Sequence, residues 1–325
     1  MTSALLALAQ TETAEPNAVA EWLVDGLSLG AIYSMLAMGF VIVFKATRVV
    51  NFAHGAFSAL GAFLVASLAT IIDVPGRWMP DAPTWLTWGA SVILAVAAAA
   101  IIGIVVERLF IRPMIGEELI MIAVITLGID VVMRNITNDF IGQQARPMGD
   151  PWGISAFDLG FVVVPHTRIA HVVAALVLVA AVALFFRSRT GVAMQATAFD
   201  QEAARAQGID VGRIFAIAWA IGAALAAVAG MFTSVYPIRS TGVDGTTAFF
   251  AFRAFPAIIL GGLDSITGAV VGGFAIGLAE EFASSFLTFE WLGRGFGGIV
   301  PYLVMLVVLL IRPYGLFGTE EVRRV

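Results

Sequence analysis

Long apolar runs repeat along almost the whole chain, and they limit the folds that it can adopt. A helix needs about 20 apolar residues to cross the hydrocarbon core of a bilayer. Eight runs meet or approach this length, at 22–44, 52–72, 85–106, 119–138, 170–186, 214–235, 268–286 and 298–311. In lipid these runs should be helices, because a helix satisfies its own backbone hydrogen bonds. The sequence therefore predicts an all-α, polytopic bundle of transmembrane helices.

A ninth apolar segment, 248–262, is shorter than the others. It contains Arg253, Pro256 and the pair Gly261 and Gly262. A charge, a proline and paired glycines all disfavour a continuous membrane helix, so we predict a short, broken or re-entrant span and a total of eight to nine spans. An external N-terminus and an internal C-terminus require an odd number of crossings, so this segment should cross fully.

The distribution of Lys and Arg predicts the orientation of the chain. If the spans alternate in direction, 11 of the 18 basic residues fall on one side, which the positive-inside rule assigns to the cytoplasm. These residues are Lys45, Arg48, Arg108, Arg112, Arg187, Arg189, Arg205, Arg213, Arg312, Arg323 and Arg324. The first twenty residues contain no Lys or Arg, so the basic start of a secretory signal is missing and this segment should stay attached outside.

The composition excludes several classes of protein. With 60% hydrophobic and 13% charged residues, the chain belongs in a membrane, surrounded by lipid, and nothing indicates nucleic-acid binding. No linker divides it, so 1–325 is predicted to be one membrane domain. The absence of cysteine excludes disulfides, thiolate metal sites and a cysteine nucleophile. No metal or nucleophile spacing is recognisable, which leaves a membrane enzyme as the weakest alternative.

A polar stretch at 190–213 separates two apolar runs on the basic side of the predicted bundle. A short polar helix in this position indicates a docking site for a partner protein. The chain has a single lysine, Lys45, in the sequence FKAT, so it lacks the Gly-rich loop with Lys that holds nucleotide phosphates. Energy from a nucleotide must therefore arrive through a partner subunit, and we predict no cofactor or metal bound by this chain itself.

Four stretches resemble LivH-type permeases of branched-chain amino acid ABC importers. The first, 26–63, reads GLSLGAIYSMLAMGFVIVFKATRVVNFAHGAFSALGAF. The second begins at 202–208, where Glu-Ala-Ala is followed by three residues and then Gly, and it continues into Gly230. The third is the glycine-rich run at 261–273, GGLDSITGAVVGG. The fourth is the ending RPYGLFG at 312–318. Together they span most of the chain in the family's order.

The resemblance implies a transport subunit of the bacterial inner membrane, without enzymatic activity of its own. It implies a second, LivM-like permease subunit, two cytoplasmic ATPase subunits that bind ATP and Mg²⁺, and an extracytoplasmic solute-binding protein. Branched-chain or related amino acids would cross by alternating access. Permeases of the same family for urea or short amides leave the solute open. An ion-coupled secondary transporter with an interrupted helix is a further alternative.

The polar helix is similar to the coupling loops of importers, which dock in a cleft of the ATPase. Small side chains would allow close approach, charged ones would pair across a wet interface, and a glycine would let the chain turn. The Ile-x-Leu-Pro ending of many importers is absent, and an ordinary solvated helix is the alternative. The candidate ATPase-coupling residues are Asp200, Glu202, Ala203, Ala204, Arg205 and Gly208.

Polar side chains inside apolar runs are candidates for the solute path, because a charge in lipid requires a partner or a wet cavity. Asp130 and Arg134 are four residues apart and should neutralise each other. Arg253 should lie near Glu280 and Glu281 at the external end. Each of these groups has two readings, structural pairing or solute contact. The candidate residues are Asn51, His54, Thr126, Asp130, Arg134, Arg253 and Glu280.

Small residues recur at helical contact spacing and predict close helix packing rather than solute contact. The pairs or series are Gly26 with Gly30, Gly222 with Ala226 and Gly230, Gly268 with Gly272, and Gly273 with Gly277.

Overall fold

The protein is an all-α bundle in this computed structural model, which describes residues 17–114, 117–142, 144–239, 241–287 and 296–319. The helices are α1 Ala18–Thr47, α2 His54–Ala66, α3 Thr84–Val106, α4 Leu119–Ile141, α5 His166–Arg187, α6 Arg189–Phe199, α7 Gln201–Ala206, α8 Val211–Thr233, α9 Phe255–Gly261, α10 Ile266–Phe286 and α11 Val300–Ile311. A hairpin of β1 Ala156–Asp158 and β2 Val163–Pro165 lies in the loop before α5.

Seven helical stretches in the described chain are long and apolar enough to cross a membrane. They contain α1, α2, α3, α4, α5, α8 and α10, and they match seven of the eight predicted runs. The eighth run forms a shorter apolar helix, Phe296–Ile311. The predicted fold class, a polytopic helix bundle, is thus confirmed. Helix α1 begins earlier than its apolar run because the Asn17 side chain accepts hydrogen bonds from the Val19 and Ala20 amides.

The predicted ninth segment is short and broken. Residues Thr247–Ala254 form a 3-10 helix, which continues directly into α9. Pro256 lies in the first turn of α9, where its missing N–H leaves no hydrogen bond unmade. Gly245 lies against the Asn138 side chain near the end of α4, whereas Gly261 packs on Gly268 at the start of α10. The segment therefore joins the two ends of the bundle.

Rows of glycine hold α1 at the centre of the bundle, and the predicted close packing is confirmed. A Cβ atom on Gly277 would collide with the backbone of Gly30, and one on Gly273 would collide with Ser34. On the other side of α1, Gly222 of α8 lies against Gly39. Because these residues lack side chains, backbones approach closely and gain van der Waals contact, which drives helix association in lipid.

The two ends of the bundle differ in charge. At the end that we call the basic end, Lys45 Nζ donates to the Asp264 carbonyl at 3.1 Å, and Arg112 Nη2 donates to the Gly212 carbonyl at 2.7 Å. The Leu316 amide donates to the Leu260 carbonyl there. At the opposite end, the Asn17 amide donates to the Phe161 carbonyl beside the β-hairpin.

Several predictions concern residues outside the described ranges. They are the external placement of the first residues, up to 16, and the internal placement of the C-terminal residues Arg323 and Arg324. These remain predictions.

Candidate translocation and coupling sites

The chain between α1 and α2 runs as a non-helical segment, 48–53, that we call the α1–α2 break; Arg48 is exposed and the rest is buried or partly buried. Asn51 is 2% exposed, and its side-chain oxygen accepts from the Ala53 amide at 3.1 Å. Thr126 of α4 contacts this backbone: its hydroxyl accepts from the Phe52 amide at 3.2 Å, and its single proton is shared between the Val50 carbonyl at 3.2 Å and the Ala123 carbonyl of α4 at 2.8 Å. Irregular backbone at membrane depth needs such partners. Thr126 therefore stabilises the backbone of the α1–α2 break through hydrogen bonds.

His54 begins α2 and links it to α1. Its Nε2 atom donates to the Leu36 carbonyl at 3.0 Å, and the ring is almost fully buried. Gly39 leaves the space that the ring occupies, since a Cβ there would lie 2.8 Å from His54 Cε1. Within the described residues, His54 belongs to no group of side chains able to hold a metal. The contacts give His54 a packing role.

Asp130 and Arg134 form the predicted ion pair, with 2.8 Å between Oδ2 and Nη2. Asp130 is buried and also faces the Ala56 amide in the first turn of α2, where a helix favours a negative charge. The Arg134 guanidinium stacks over the Phe249 ring at 4.7 Å. This pair therefore connects α4 with both α2 and the 3-10 helix.

Four phenylalanine rings, which sequence reasoning did not single out, form a row. Two belong to the 3-10 helix, one begins α9 and one lies in the α1–α2 break. Ring centroids are 6.3 Å apart for Phe249 and Phe252, 5.8 Å for Phe252 and Phe255, and 6.3 Å for Phe255 and Phe52. A 3-10 helix has three residues per turn, so side chains at this spacing share one face. The spacing of three residues between Phe249, Phe252 and Phe255 is visible in the sequence. It does not distinguish this row from ordinary lipid-facing residues.

Arg253 and Glu280 also meet, as predicted, although loosely, with 3.6 Å between Nη1 and Oε1. The other Glu280 oxygen accepts a 2.6 Å hydrogen bond from Tyr33. Nearby, Arg168 forms an ion pair with Asp25. These charges line a cavity of about 250 Å³ at the end opposite the basic end, which we call the outer cavity. Tyr33 and Asp25 of α1 and Arg168 of α5 were missed, because only the fold brings these two helices together with α10.

The polar stretch 190–213 is split into two helices. Asp200 adopts extended backbone between α6 and α7, and its side chain caps α7 by accepting from the Glu202 amide at 2.9 Å and the Ala203 amide at 3.0 Å. Gly208 has φ +81°, a conformation that favours glycine, and the chain turns there into α8. Asp200 is thus engaged within its own helix.

The expectation that Ala204 helps a partner to approach is not supported by its position. Ala204 is 4% exposed and packs against Val211 and Phe215, so it anchors α7 to α8. The outward face of α7 carries Glu202, Ala203 and Arg205, which are exposed. The reason is that a helix between two spans must bury one face against its own protein.

Phe199, the last residue of α6, is 93% exposed beside α7 at the basic end. Immediately before it, the Ala198 carbonyl accepts a 3.2 Å hydrogen bond from Arg48, the first residue of the α1–α2 break. Phe44, Arg48, Phe199 and Gln201 share the lining of a cavity of about 460 Å³. We call the exposed set Phe199, Glu202, Ala203 and Arg205 the coupling face. The hydrogen bond between Arg48 and the Ala198 carbonyl connects the coupling face to the α1–α2 break, which Thr126 contacts.

The fold and these apolar helices define a multi-pass membrane protein. Comparison with known proteins identifies its family. The chain belongs to the family described as branched-chain amino acid transport system permease components, whose profile matches residues 22–309. That description makes the chain one component of a multi-subunit transport system and confirms the resemblance found in the sequence.

Individual relatives agree with the family. The chain is 29% identical to the high-affinity branched-chain amino acid transport system permease protein BraD of Pseudomonas aeruginosa, over 93% of this chain and 97% of BraD. It is also 29% identical to LivH of Escherichia coli K12, over 93% of this chain and 96% of LivH. The high-affinity branched-chain amino acid transport system permease protein LivM of the same organism is 25% identical, over 96% of this chain and 74% of LivM.

Proposed function

We propose that this chain is the permease subunit of an ATP-binding cassette importer that moves branched-chain or related amino acids across the cytoplasmic membrane. The observation that carries the proposal is the coupling face, which exposes a phenylalanine and charged groups at the basic end of a bundle that matches the permease family over residues 22–309. The basic end is the cytoplasmic one in this proposal, so the N-terminus is outside and the C-terminus inside.

The partners follow from the same features. A second, LivM-like permease pairs with this chain, and similarity to both LivH and LivM supports such a pair of related subunits. Two ATPase subunits bind ATP and Mg²⁺ and receive the coupling face of segment 190–213. A solute-binding protein delivers the amino acid at the opposite end. The permease itself catalyses no reaction, which agrees with the lack of a phosphate-binding Lys motif.

A continuous set of contacts offers a route from the ATPases to the solute path. Movement of α7 pulls on the end of α6, and the Ala198 carbonyl is bonded to Arg48. Arg48 begins the α1–α2 break, whose far end is bonded to Thr126. Phe52 of the break stacks on the phenylalanine row at Phe255. Nucleotide drives alternating access if it favours one arrangement of this set over the other.

The solute path in this proposal lies between α4 and the 3-10 helix. Arg134 is partly exposed there, and an exposed guanidinium at membrane depth requires water or a partner rather than lipid. The phenylalanine row offers aromatic surface to apolar side chains of a passing amino acid. Thr126 and the Asp130–Arg134 pair hold the walls of this path.

Reconstitution of the complete importer tests the function. The permease pair, the ATPases and the binding protein are placed in proteoliposomes with ATP inside the compartment that contains the ATPases. Radiolabelled leucine should accumulate only with ATP and the binding protein. Accumulation of labelled urea or acetamide instead would indicate a permease of the same family for urea or short amides. Uptake driven by a proton or sodium gradient without ATP would contradict it in favour of a secondary transporter.

A further inference from the structure

The outer cavity is lined by two chemically different sets of side chains. The apolar set, which we call the apolar wall, consists of Leu29, Pro237, Ile238 and Phe250. The charged set consists of Asp25, Arg168, Arg253, Glu280 and Glu281, and it adjoins the apolar wall where Arg253 lies over the Phe250 ring. Its volume of about 250 Å³ corresponds to roughly eight water molecules at about 30 Å³ each, which is the size of a small amino acid. A cavity with this lining suits a ligand that carries charged groups beside an apolar group.

The charges inside the cavity do not balance. Two carboxylates are engaged, since Asp25 pairs with Arg168, and Glu280 accepts from Tyr33 and contacts Arg253. Among the described residues, no ion pair includes the third carboxylate, Glu281. A partly buried carboxylate favours a cationic partner, because water screens its charge less than at an exposed position. Glu281 is therefore suited to receive an ammonium group.

Arg253 keeps donors for an anion. Its side chain is 51% exposed, and its contact with Glu280 is a single long one of 3.6 Å. A guanidinium has five N–H donors in a planar fork, which matches both oxygens of a carboxylate. Its neighbour Phe250 lies under the guanidinium at 5.5 Å and fixes its direction. The cavity thus holds one open anionic and one open cationic group in a space the size of one amino acid.

We propose that the outer cavity binds an α-amino acid in its zwitterionic form. The ammonium group lies at Glu281 and the carboxylate at Arg253. The branched side chain lies on the apolar wall formed by Leu29, Ile238 and Phe250. This inference rests on the proposed import function and adds to it a receiving site on the permease, where the amino acid arrives before it enters the path.

The site also discriminates between the candidate solutes. A zwitterion gains charge-assisted hydrogen bonds at both ends. Urea and short amides carry no charge and gain neither, so a permease specialised for them would have no use for this pair of groups. The apolar wall adds a preference for aliphatic side chains, since burying each CH₂ group is favourable.

Ligands that lack one charge test the assignment group by group. Binding of radiolabelled leucine is measured on the permease–ATPase complex in nanodiscs without the binding protein, and 4-methylpentanoate and 3-methylbutylamine serve as competitors. Glu281→Gln should weaken leucine and the amine about tenfold and leave the acid unweakened. Arg253→Gln should weaken leucine and the acid about tenfold and spare the amine. A merely structural role would not produce this crossed pattern.

Glu21→Gln is the matched control, because Glu21 is an exposed carboxylate of α1 outside the cavity lining. It should leave all three ligands unaffected. Equal losses for all ligands in both variants, unchanged binding in both, or absence of leucine binding to the wild-type complex would each overturn the site. Failure of the complete importer to accumulate leucine would instead overturn the proposed function, so the two failures are distinguished.

Discussion

Asp130 and Arg134 lie one turn apart on α4, and their ion pair joins three elements. Asp130 faces the Ala56 amide at the start of α2, and Arg134 stacks over Phe249 of the 3-10 helix. The pair thus neutralises a buried carboxylate and a partly exposed guanidinium, and it also sets the position of α4, whose other faces are largely exposed. Loss of the ion pair should therefore lower the free energy of unfolding as well as transport.

Removing only one member of this pair should be more harmful than removing both. Arg134→Gln leaves the buried carboxylate unpaired, which we expect to cost about 3 kcal/mol of folding free energy. The double variant Asp130→Asn with Arg134→Gln should recover most of that loss, because two neutral groups can bond to each other. Thermal unfolding in nanodiscs measures both. A double variant less stable than Arg134→Gln alone would show that the charges act independently.

The glycine contact between α1 and α10 should tolerate no side chain. Gly277→Ala places a Cβ atom against the Gly30 backbone, which must separate the helices and cost about 2 kcal/mol or more. Gly128→Ala is the control, because a Cβ on Gly128 meets nothing within 4 Å, and alanine favours a helix. Thermal unfolding and the yield of folded protein provide the measurement. Equal stability of the two variants would mean that the α1–α10 contact is not close.

The spans could be predicted from sequence because hydropathy is a local property, and α1, α8 and α10 appear where their apolar runs lie. The Asp130–Arg134 pair was equally accessible, since its spacing places both groups on one helix face. The outer cavity could be predicted only in part: Arg253 was expected near Glu280 and Glu281, but Asp25 and Arg168 lie far from them in sequence. Their proximity depends on how glycine rows set the helices against one another.

The polar stretch 190–213 shows a second limit of prediction from sequence. A polar stretch between two spans predicts a helix on the surface, but it does not reveal which side of that helix is covered. Ala204 was expected to face a partner and instead packs on Val211 and Phe215. Phe199 was overlooked because an apolar residue in an apolar protein carries no signal until its exposure is known.

The turn at 237–247 should loosen in acid. Burial alone would raise the pKa of Asp244, but hydrogen bonds from Thr246 and the charge of Arg239 outweigh it and lower this pKa below its usual value. A depressed pKa means that ionised Asp244 stabilises the folded turn above about pH 4, and this contribution is lost as the pH falls through the folded pKa.

Hydrogen exchange of residues 241–247 at pH 6 and at pH 3, expressed as protection factors, measures that loss. We expect several-fold lower protection at pH 3 in the native protein. Asp244→Asn should show the lower protection at both pH values, whereas Asp81→Asn, at an exposed position, should behave like the native protein. Protection that is independent of pH in the native protein would contradict the role of Asp244.

Phe199 should carry much of the contact with the ATPases. A phenylalanine that is 93% exposed gives up little when it is shortened in the isolated permease, so Phe199→Ala should leave thermal stability unchanged. If its ring fills a pocket on the ATPase, the loss of an aromatic anchor costs about 2 kcal/mol, which weakens assembly about thirtyfold. Titration of labelled ATPase onto permease in nanodiscs measures the affinity, and ATP-driven leucine uptake should fall in parallel. Phe157→Ala is the matched control, since Phe157 is 56% exposed in the β-hairpin at the opposite end. Equal affinities for the ATPase in both variants would place the docking surface elsewhere than on the coupling face.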